Sequence, residues 1–255
     1  MPDGQARVAI VTGAGQGIGR GVALALTEHG YQVVVVDRHE DRAQETVEQI
    51  EAAGVSPQTP LAVTADLLSE SSVQSMIETV IGAFGGIDVM INNAGALRQG
   101  GLEDTTIEMW DAVFDGCVKT AWLCTRAALP ALKNSLAGRV INISSIVAQG
   151  ADSANLIAYT SAKRAVEGLT VASAREVGQF GITVNAICPG SIETPAWDKF
   201  PDPQALRTLR ASQSVIGRVG RPSEIGEAAI YLASPGAGFV TGQILVVDGG
   251  RTDKL

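Results

Sequence analysis

The sequence predicts a single α/β domain, a doubly wound parallel sheet of about seven strands with helices on both faces. Short β-branched runs recur without polar alternation, which marks strands covered on both sides. They alternate with helical stretches at intervals of roughly 25–30 residues, the rhythm of strand–helix–strand units. Several runs end in glycine or a polar side chain, where such a sheet gathers its ligands.

Val8-Ala9-Ile10-Val11 is the first buried strand. It runs into Thr12-Gly13-Ala14-Gly15-Gln16-Gly17-Ile18-Gly19, and a helix follows to about His29. Strand, glycine turn and helix together make the context of a phosphate-binding loop, where backbone N–H groups approach a pyrophosphate at the helix N-terminus. The register is Gly-x-x-x-Gly-x-Gly, a variant of the usual Rossmann-type fingerprint. Gln32-Val33-Val34-Val35-Val36 is the second strand and ends on Asp37, close to the ~20-residue offset expected of a ribose-binding acid. A carboxylate there accepts from the ribose 2′-OH and repels a 2′-phosphate, so NAD is the expected cofactor. Arg38 pulls the other way, because a guanidinium can bind that phosphate.

A helix over 43–53 closes at Gly54, and Leu61-Ala62-Val63-Thr64-Ala65 leads into Asp66-Leu67. Asp66 either reaches an adenine amino group or caps its loop. A helix over 71–84 precedes Val89-Met90-Ile91-Asn92-Asn93-Ala94-Gly95. Long helices are expected over about 106–134 and 154–177, with the strand Arg139-Val140-Ile141-Asn142-Ile143 between them. Ile182-Thr183-Val184-Asn185-Ala186-Ile187 leads into Pro189-Gly190-Ser191-Ile192-Glu193-Thr194. Residues 195–214 read as the least regular stretch, broken by Pro195, Pro201 and Pro203 and made apolar on one side by Trp197, Phe200, Leu206 and Leu209. With the segment before it, this stretch (about 191–214) is expected to be a substrate lid. Pro222-Ser223-Glu224-Ile225 opens a helix, and Gln243-Ile244-Leu245-Val246-Val247 is the last strand.

The chain of 255 residues is 45% hydrophobic and carries a net charge of −8, which suits one domain over 1–255. Its Lys and Arg residues are scattered, so no nucleic-acid partner is expected. No apolar run reaches the ~18 residues of a membrane span, and Met1 to Arg7 lacks a signal-peptide pattern. Three cysteines, Cys117, Cys124 and Cys188, do not make a disulfide framework. A cytoplasmic, reducing location is the expectation, and no metal site is expected from His29 and His39.

Tyr159-Thr160-Ser161-Ala162-Lys163 places a phenol and an ammonium on one helix face. A neighbouring ammonium favours the phenolate, which suits acid–base chemistry. With this pair added, the chain resembles the short-chain dehydrogenase/reductase family over essentially its whole length. The matching pieces are Thr12-Gly13-x-x-x-Gly17-Ile18-Gly19, Asp66-Leu67, Asn92-Asn93-Ala94-Gly95, Ser145, Tyr159-x-x-x-Lys163, Asn185, Pro189-Gly190 and Asp248-Gly249-Gly250.

The resemblance implies catalysis by Ser145, Tyr159 and Lys163, with Ser144 the rival serine. It implies a cofactor site of Gly13, Gln16, Gly17, Ile18, Gly19, Asp37, Arg38, Asp66, Leu67, Asn93, Ala94, Gly95, Pro189, Gly190, Ile192 and Thr194, joined by Tyr159 and Lys163. The Ile192 backbone would hold the nicotinamide carboxamide. The implied reaction passes a hydride between the nicotinamide and a small-molecule secondary alcohol or ketone, and the implied assembly is a homotetramer formed by the two long helices. Arg98, Arg207 and Arg210 leave room for an acidic group on the substrate.

Alternatives are a 3-oxoacyl-carrier-protein reductase, which would want NADPH and a basic docking patch, and an NAD-binding regulatory protein with weak catalysis. Two departures from the family pattern stand out. Cys117 falls where the family places an asparagine that relays protons to the lysine. The Ser145-to-Tyr159 loop also reads one residue long, with Asp152-Ser153-Ala154-Asn155 absorbing the insertion.

Overall fold

The computed structural model describes residues 6–54, 59–150 and 154–251. The described residues form one seven-stranded sheet: β1 (Val8–Thr12), β2 (Gln32–Asp37), β3 (Leu61–Thr64), β4 (Val89–Asn92), β5 (Arg139–Ile143), β6 (Thr183–Pro189) and β7 (Ile244–Val247). The order is β3-β2-β1-β4-β5-β6-β7, and every pairing is parallel. Among the described residues the eight α-helices are α1 (Gly17–Glu28), α2 (Glu40–Ala53), α3 (Glu70–Phe84), α4 (Ile107–Phe114), α5 (Thr120–Asn134), α6 (Ile157–Val177), α7 (Pro203–Ser212) and α8 (Pro222–Ala233). The expected α/β architecture is the one observed.

The unalternated strands are explained by two cores. Strand side chains alternate faces, so Ala9, Val11, Val33 and Val35 pack with α1, α2 and α8 through Leu26, Ile50 and Ile225. Val8, Ile10, Val34 and Val36 pack on the opposite face with Met76, Leu132 and Val177. The chain leaves β1 for β2 and β3 on one side and crosses back to β4 on the other. A crevice therefore opens between the carboxyl ends of β1 and β4.

Three expectations change in detail. The long helix after Thr106 is interrupted by a π-helical turn, Asp115–Lys119. The helix bearing Tyr159 begins at Ile157, because Asn155 takes a left-handed φ of 57°. Residues 195–214 are more regular than their three prolines suggest. A 3₁₀ segment spans Pro195–Lys199, and Pro203 opens α7, where a first-turn proline costs no hydrogen bond. Asp202 caps α7 by accepting from the Ala205 N–H at 2.8 Å. Asp152 and Ser153 of the long loop, and Met1 to Gln5, lie outside the described residues.

The three cysteines are buried and none of them forms a disulfide among the described residues; burial pushes the Cys124 thiol up to about 12. Among the described residues no helix is long and apolar enough to cross a membrane.

Glu224 sits in the first turn of α8. It accepts from the Arg221 N–H at 2.8 Å and takes both terminal nitrogens of Arg218, at 2.9 and 2.6 Å. The Arg218 guanidinium holds its carboxyl down to about 2, against an ordinary value of 4.5. A depressed folded-state value contributes stability above the unfolded value and loses it as pH falls toward the folded one. Denaturant titrations between pH 6 and pH 2 are therefore expected to show a shallower acid-side loss in Glu224→Gln than in the native chain. Equal slopes would show that the Arg218 contact contributes nothing.

Candidate active site

The glycine turn lies where the backbones of β1 and β4 converge. Gly13 has φ of 61°, and a Cβ there would lie 2.9 Å from the Ala94 Cα. A Cβ on Gly19 would stand 2.3 Å from the Gly13 carbonyl oxygen and 2.4 Å from Asn93 Nδ2. Asn93 knits the crevice by donating from Nδ2 to the carbonyls of Thr12 (2.9 Å) and Gly13 (3.1 Å). Thr12 Oγ1 accepts from the N–H groups of Asn93 and Ala94. Thr12 lies outside the site residues that the resemblance implies, and the folded structure shows it joining the two strand ends.

Gln16 is the N-cap of α1, yet its side chain makes no capping hydrogen bond to the first helical turn. Its N–H groups are thus left for another acceptor. Gly17 and partly buried Ile18 open the helix, and a Cβ on Gly17 would meet Thr194 Cγ2 at 3.4 Å. The β6 loop therefore arches over the glycine turn. Gly190 permits this arch, since a Cβ there would lie 2.6 Å from the Asp248 Cα. Pro189 ends β6 opposite Val247. Buried Ile192 bridges Gly220, and the Glu193 N–H donates to the Gly220 carbonyl. Cradle, uncapped turn and arch fit a pyrophosphate and the nicotinamide half of a dinucleotide.

Asp37 stands half-buried at the end of β2. Its Oδ2 accepts from the Gly15 N–H and its Oδ1 from the His39 N–H, both at 3.1 Å. It holds the glycine turn against β2 while each oxygen keeps a lone pair for a ribose hydroxyl. Arg38 is exposed and donates from Nε to His39 Nε2 at 3.1 Å. Asp66 is exposed and its Oδ1 accepts from the Leu68 N–H, so it caps its loop; Leu67 is buried beneath.

On the other side of the crevice, α6 presents half-buried Tyr159 and buried Lys163 one turn apart. Lys163 Nζ lies 5.6 Å from the Tyr159 ring centroid and donates to the Ile143 carbonyl at 2.7 Å. Ile143 ends β5, two residues before Ser145, so one bond ties the α6 pair to the serine's strand. Ser145 is half-buried, with a long 3.5 Å contact from the Val147 N–H to its hydroxyl. Ser144 is buried, 3.0 Å from Glu167 Oε1 and 3.3 Å from the Lys163 carbonyl.

The π-helical turn brings Cys117 to the same place. A Cβ on Gly95 would lie 3.5 Å from Cys117 Sγ and 3.6 Å from Lys163 Nζ. The thiol donates to the Ala96 carbonyl at 3.3 Å. The spacing of residues could not announce a π turn, because its extra residue per turn arises from packing, not composition.

Arg207 corrects one expectation. It lies on α7 but donates to Glu193 at 2.5 Å and Asp198 at 2.8 Å, so it is committed to the protein's own carboxylates rather than to a substrate acid. Arg210 donates to Gln213 at 3.1 Å, and exposed Arg98 to the Leu97 carbonyl. Leu209 and Phe200 face outward, while Leu206 is half-buried.

A family model described as enoyl-(acyl carrier protein) reductase matches residues 13–252. The chain is 38% identical over 248 residues to the (2S)-[(R)-hydroxy(phenyl)methyl]succinyl-CoA dehydrogenase subunit BbsD of Thauera aromatica, covering 97% of each chain. It is 36% identical to the short-chain reductase protein NovJ of Streptomyces niveus, over 97% of this chain and 94% of that one. It is 37% identical to the 3-oxoacyl-[acyl-carrier-protein] reductase FabG of Staphylococcus aureus, over 95% of this chain and 96% of that one.

Gly19→Ala forces a methyl group into the Gly13 carbonyl and the Asn93 amide. It is expected to cost about 1–3 kcal/mol of stability and to weaken binding of a reduced nicotinamide dinucleotide. Calorimetric titration with NADH and denaturant unfolding measure the two effects. Native affinity in the variant would show that the close approach does not shape the cradle.

Proposed function

The chain belongs to the short-chain dehydrogenase/reductase family of oxidoreductases, and from that premise we propose an NAD-dependent enzyme that moves a hydride between the nicotinamide and a secondary alcohol or its ketone. The observation that carries the proposal is the tether of Lys163 to Ile143. It brings the Tyr159–Lys163 face of α6 to the strand end that leads into Ser145.

The nicotinamide, when bound, supplies the hydride in reduction and accepts it in oxidation. Tyr159 gives its hydroxyl proton to the ketone oxygen in one direction and takes a proton from the alcohol in the other. Ser145 donates a hydrogen bond to that same oxygen. This role falls to Ser145 because the Ser144 hydroxyl is buried against Glu167. Lys163 stabilises the phenolate by its charge. One of its three N–H donors is spent on Ile143, which leaves two for the ribose hydroxyls. Gly13, Gln16, Gly17, Ile18 and Gly19 cradle the pyrophosphate. Asn93, Ala94 and Gly95 floor the crevice. Pro189, Gly190, Ile192 and Thr194 close over the nicotinamide end, and Asp66 and Leu67 border the adenine. Cys117 offers only a weak donor where the family has an amide. In this reading either a water on a backbone carbonyl returns protons to Lys163, or turnover is slow.

Asp37 supports NAD. It faces the glycine turn with acceptor capacity to spare, while Arg38 is turned onto His39. A second reading, a 3-oxoacyl-carrier-protein reductase, is favoured by the likeness to FabG and opposed by Asp37 and by the scattered cations. BbsD and FabG are both named for acyl groups on carriers, so acyl thioesters belong in any substrate panel. The protein is further proposed to be a homotetramer, since Trp110, Trp122, Val171 and Phe180 leave apolar surface exposed along α4, α5, α6 and the 3₁₀ turn that follows it.

Assays of ketones and 3-oxoacyl thioesters with each cofactor are expected to show turnover with NADH in preference to NADPH. Tyr159→Phe should lower turnover by at least about 100-fold with NADH binding retained. Preference for NADPH would overturn the Asp37 argument, and an active Tyr159→Phe would overturn the acid–base assignment. Light scattering should give about four times the 26.4 kDa chain mass; a monomer at assay concentration would rule out the tetramer.

A further inference from the structure

Glu167 is an ionisable side chain only 5% exposed, and the reaction as described does not use it. Burying a carboxylate is costly unless it is paired and hydrogen-bonded, so its partners say what the burial serves. Arg164 Nη1 lies 2.8 Å from Oε2, but the Arg164 side chain is 63% exposed, and a pair with so solvated a partner contributes little. The two bonds on the inner side are different. Ser144 Oγ donates to Oε1 at 3.0 Å, and Gln149 Nε2 donates to the same oxygen at 2.8 Å.

Those donors bracket Ser145. Ser144 precedes it, and Gln149 ends the 3₁₀ turn Ile146–Gln149 that follows it. Ser144 is further fixed by its N–H, which donates to the Ile187 carbonyl of β6 at 2.7 Å. Charge-assisted bonds of this kind are the stronger sort, and one carboxylate oxygen gathers both ends of the turn. Among the described residues the Ser145 hydroxyl has only its long contact with the Val147 N–H, so it is placed by the turn rather than by strong bonds of its own.

Glu167 also lies on α6 four residues after Lys163 and eight after Tyr159. Residues at that spacing share a helix face. From this we infer that Glu167 is a positioning residue: its buried carboxylate clamps the Ser144–Gln149 turn to α6 and so fixes Ser145 relative to Tyr159 and Lys163. The inference rests on the reading in which those three residues act together.

The test compares the full chain with Glu167→Ala, Glu167→Gln and Gln149→Ala. It measures kcat and KM for a turned-over ketone, NADH affinity and thermal midpoint. Glu167→Ala is expected to lower kcat by about 10- to 100-fold, the scale on which a small misplacement of a reacting group is felt, with NADH affinity unchanged. Glu167→Gln keeps an acceptor oxygen for Ser144 and Gln149 and should restore most of that loss. Gln149→Ala removes one anchor from a half-buried position and should give a smaller loss, again in kcat; it decides the matter if Glu167→Ala does not fold. A lowered thermal midpoint with native kcat would overturn the inference, as would equal kcat losses in the Ala and Gln variants. Tyr159→Phe run alongside separates the failures. Persistent turnover there defeats the acid–base reading, whereas an inactive Tyr159→Phe beside a fully active Glu167→Ala defeats only the clamp.

Discussion

The ends of β1 and β4 come so close that there is no room for a Cβ between them. A side chain at Gly19 would strike the Gly13 carbonyl and the Asn93 amide, and one at Gly13 would strike Ala94. Asn93 turns this crowding into bonding by donating to two carbonyls of the opposite strand end. Everything above the sheet is built on that contact. It sets the width of the crevice, aims the uncapped first turn of α1 into it, and leaves the β6 loop at the height where Thr194 meets Gly17. A buried parallel sheet supplies the setting, because both faces are covered and only its carboxyl end is open to a ligand.

Across the crevice, α6 works as a single rigid part. Tyr159, Lys163 and Glu167 follow one another by turns on its inward face, each directed to a different piece of the site. Lys163 reaches the end of β5 and Glu167 reaches the turn beyond it. Mounting these groups on a helix packed against the sheet restricts their relative motion far more than loops would. The nearby π turn has a related effect on the helix before β5. It re-aims Cys117 toward Lys163 and Gly95, so the departure from the family's asparagine occurs at the centre of the site and not at its edge.

The strands, the glycine turn and the Tyr159–Lys163 face are legible in the sequence, because each leaves a local mark. β-branched runs mark buried strands, glycines mark close backbone approach, and a four-residue interval marks a helix face. What the sequence leaves open depends on partners distant in the chain. Arg207 looked available for a substrate acid, yet Glu193 and Asp198 claim it. Three prolines suggested an irregular stretch, yet Asp202 and Pro203 together begin a helix. Asp66 has two roles open to it in the sequence, and in the fold one of its oxygens takes up the loop-capping role by accepting from the Leu68 N–H.

By itself, then, the sequence determined the layered α/β architecture, the order of its elements and the residue types that meet at the crevice. These follow from periodicity and from steric rules that act within a few residues. Tertiary structure alone decided that the Ser144 hydroxyl is spent on Glu167, where Arg207 spends its charge, and that Glu167 gathers Gln149 as well. Each of those outcomes is a competition for hydrogen bonds among groups roughly 5 to 25 residues apart in the chain, and only packing brings the competitors within reach.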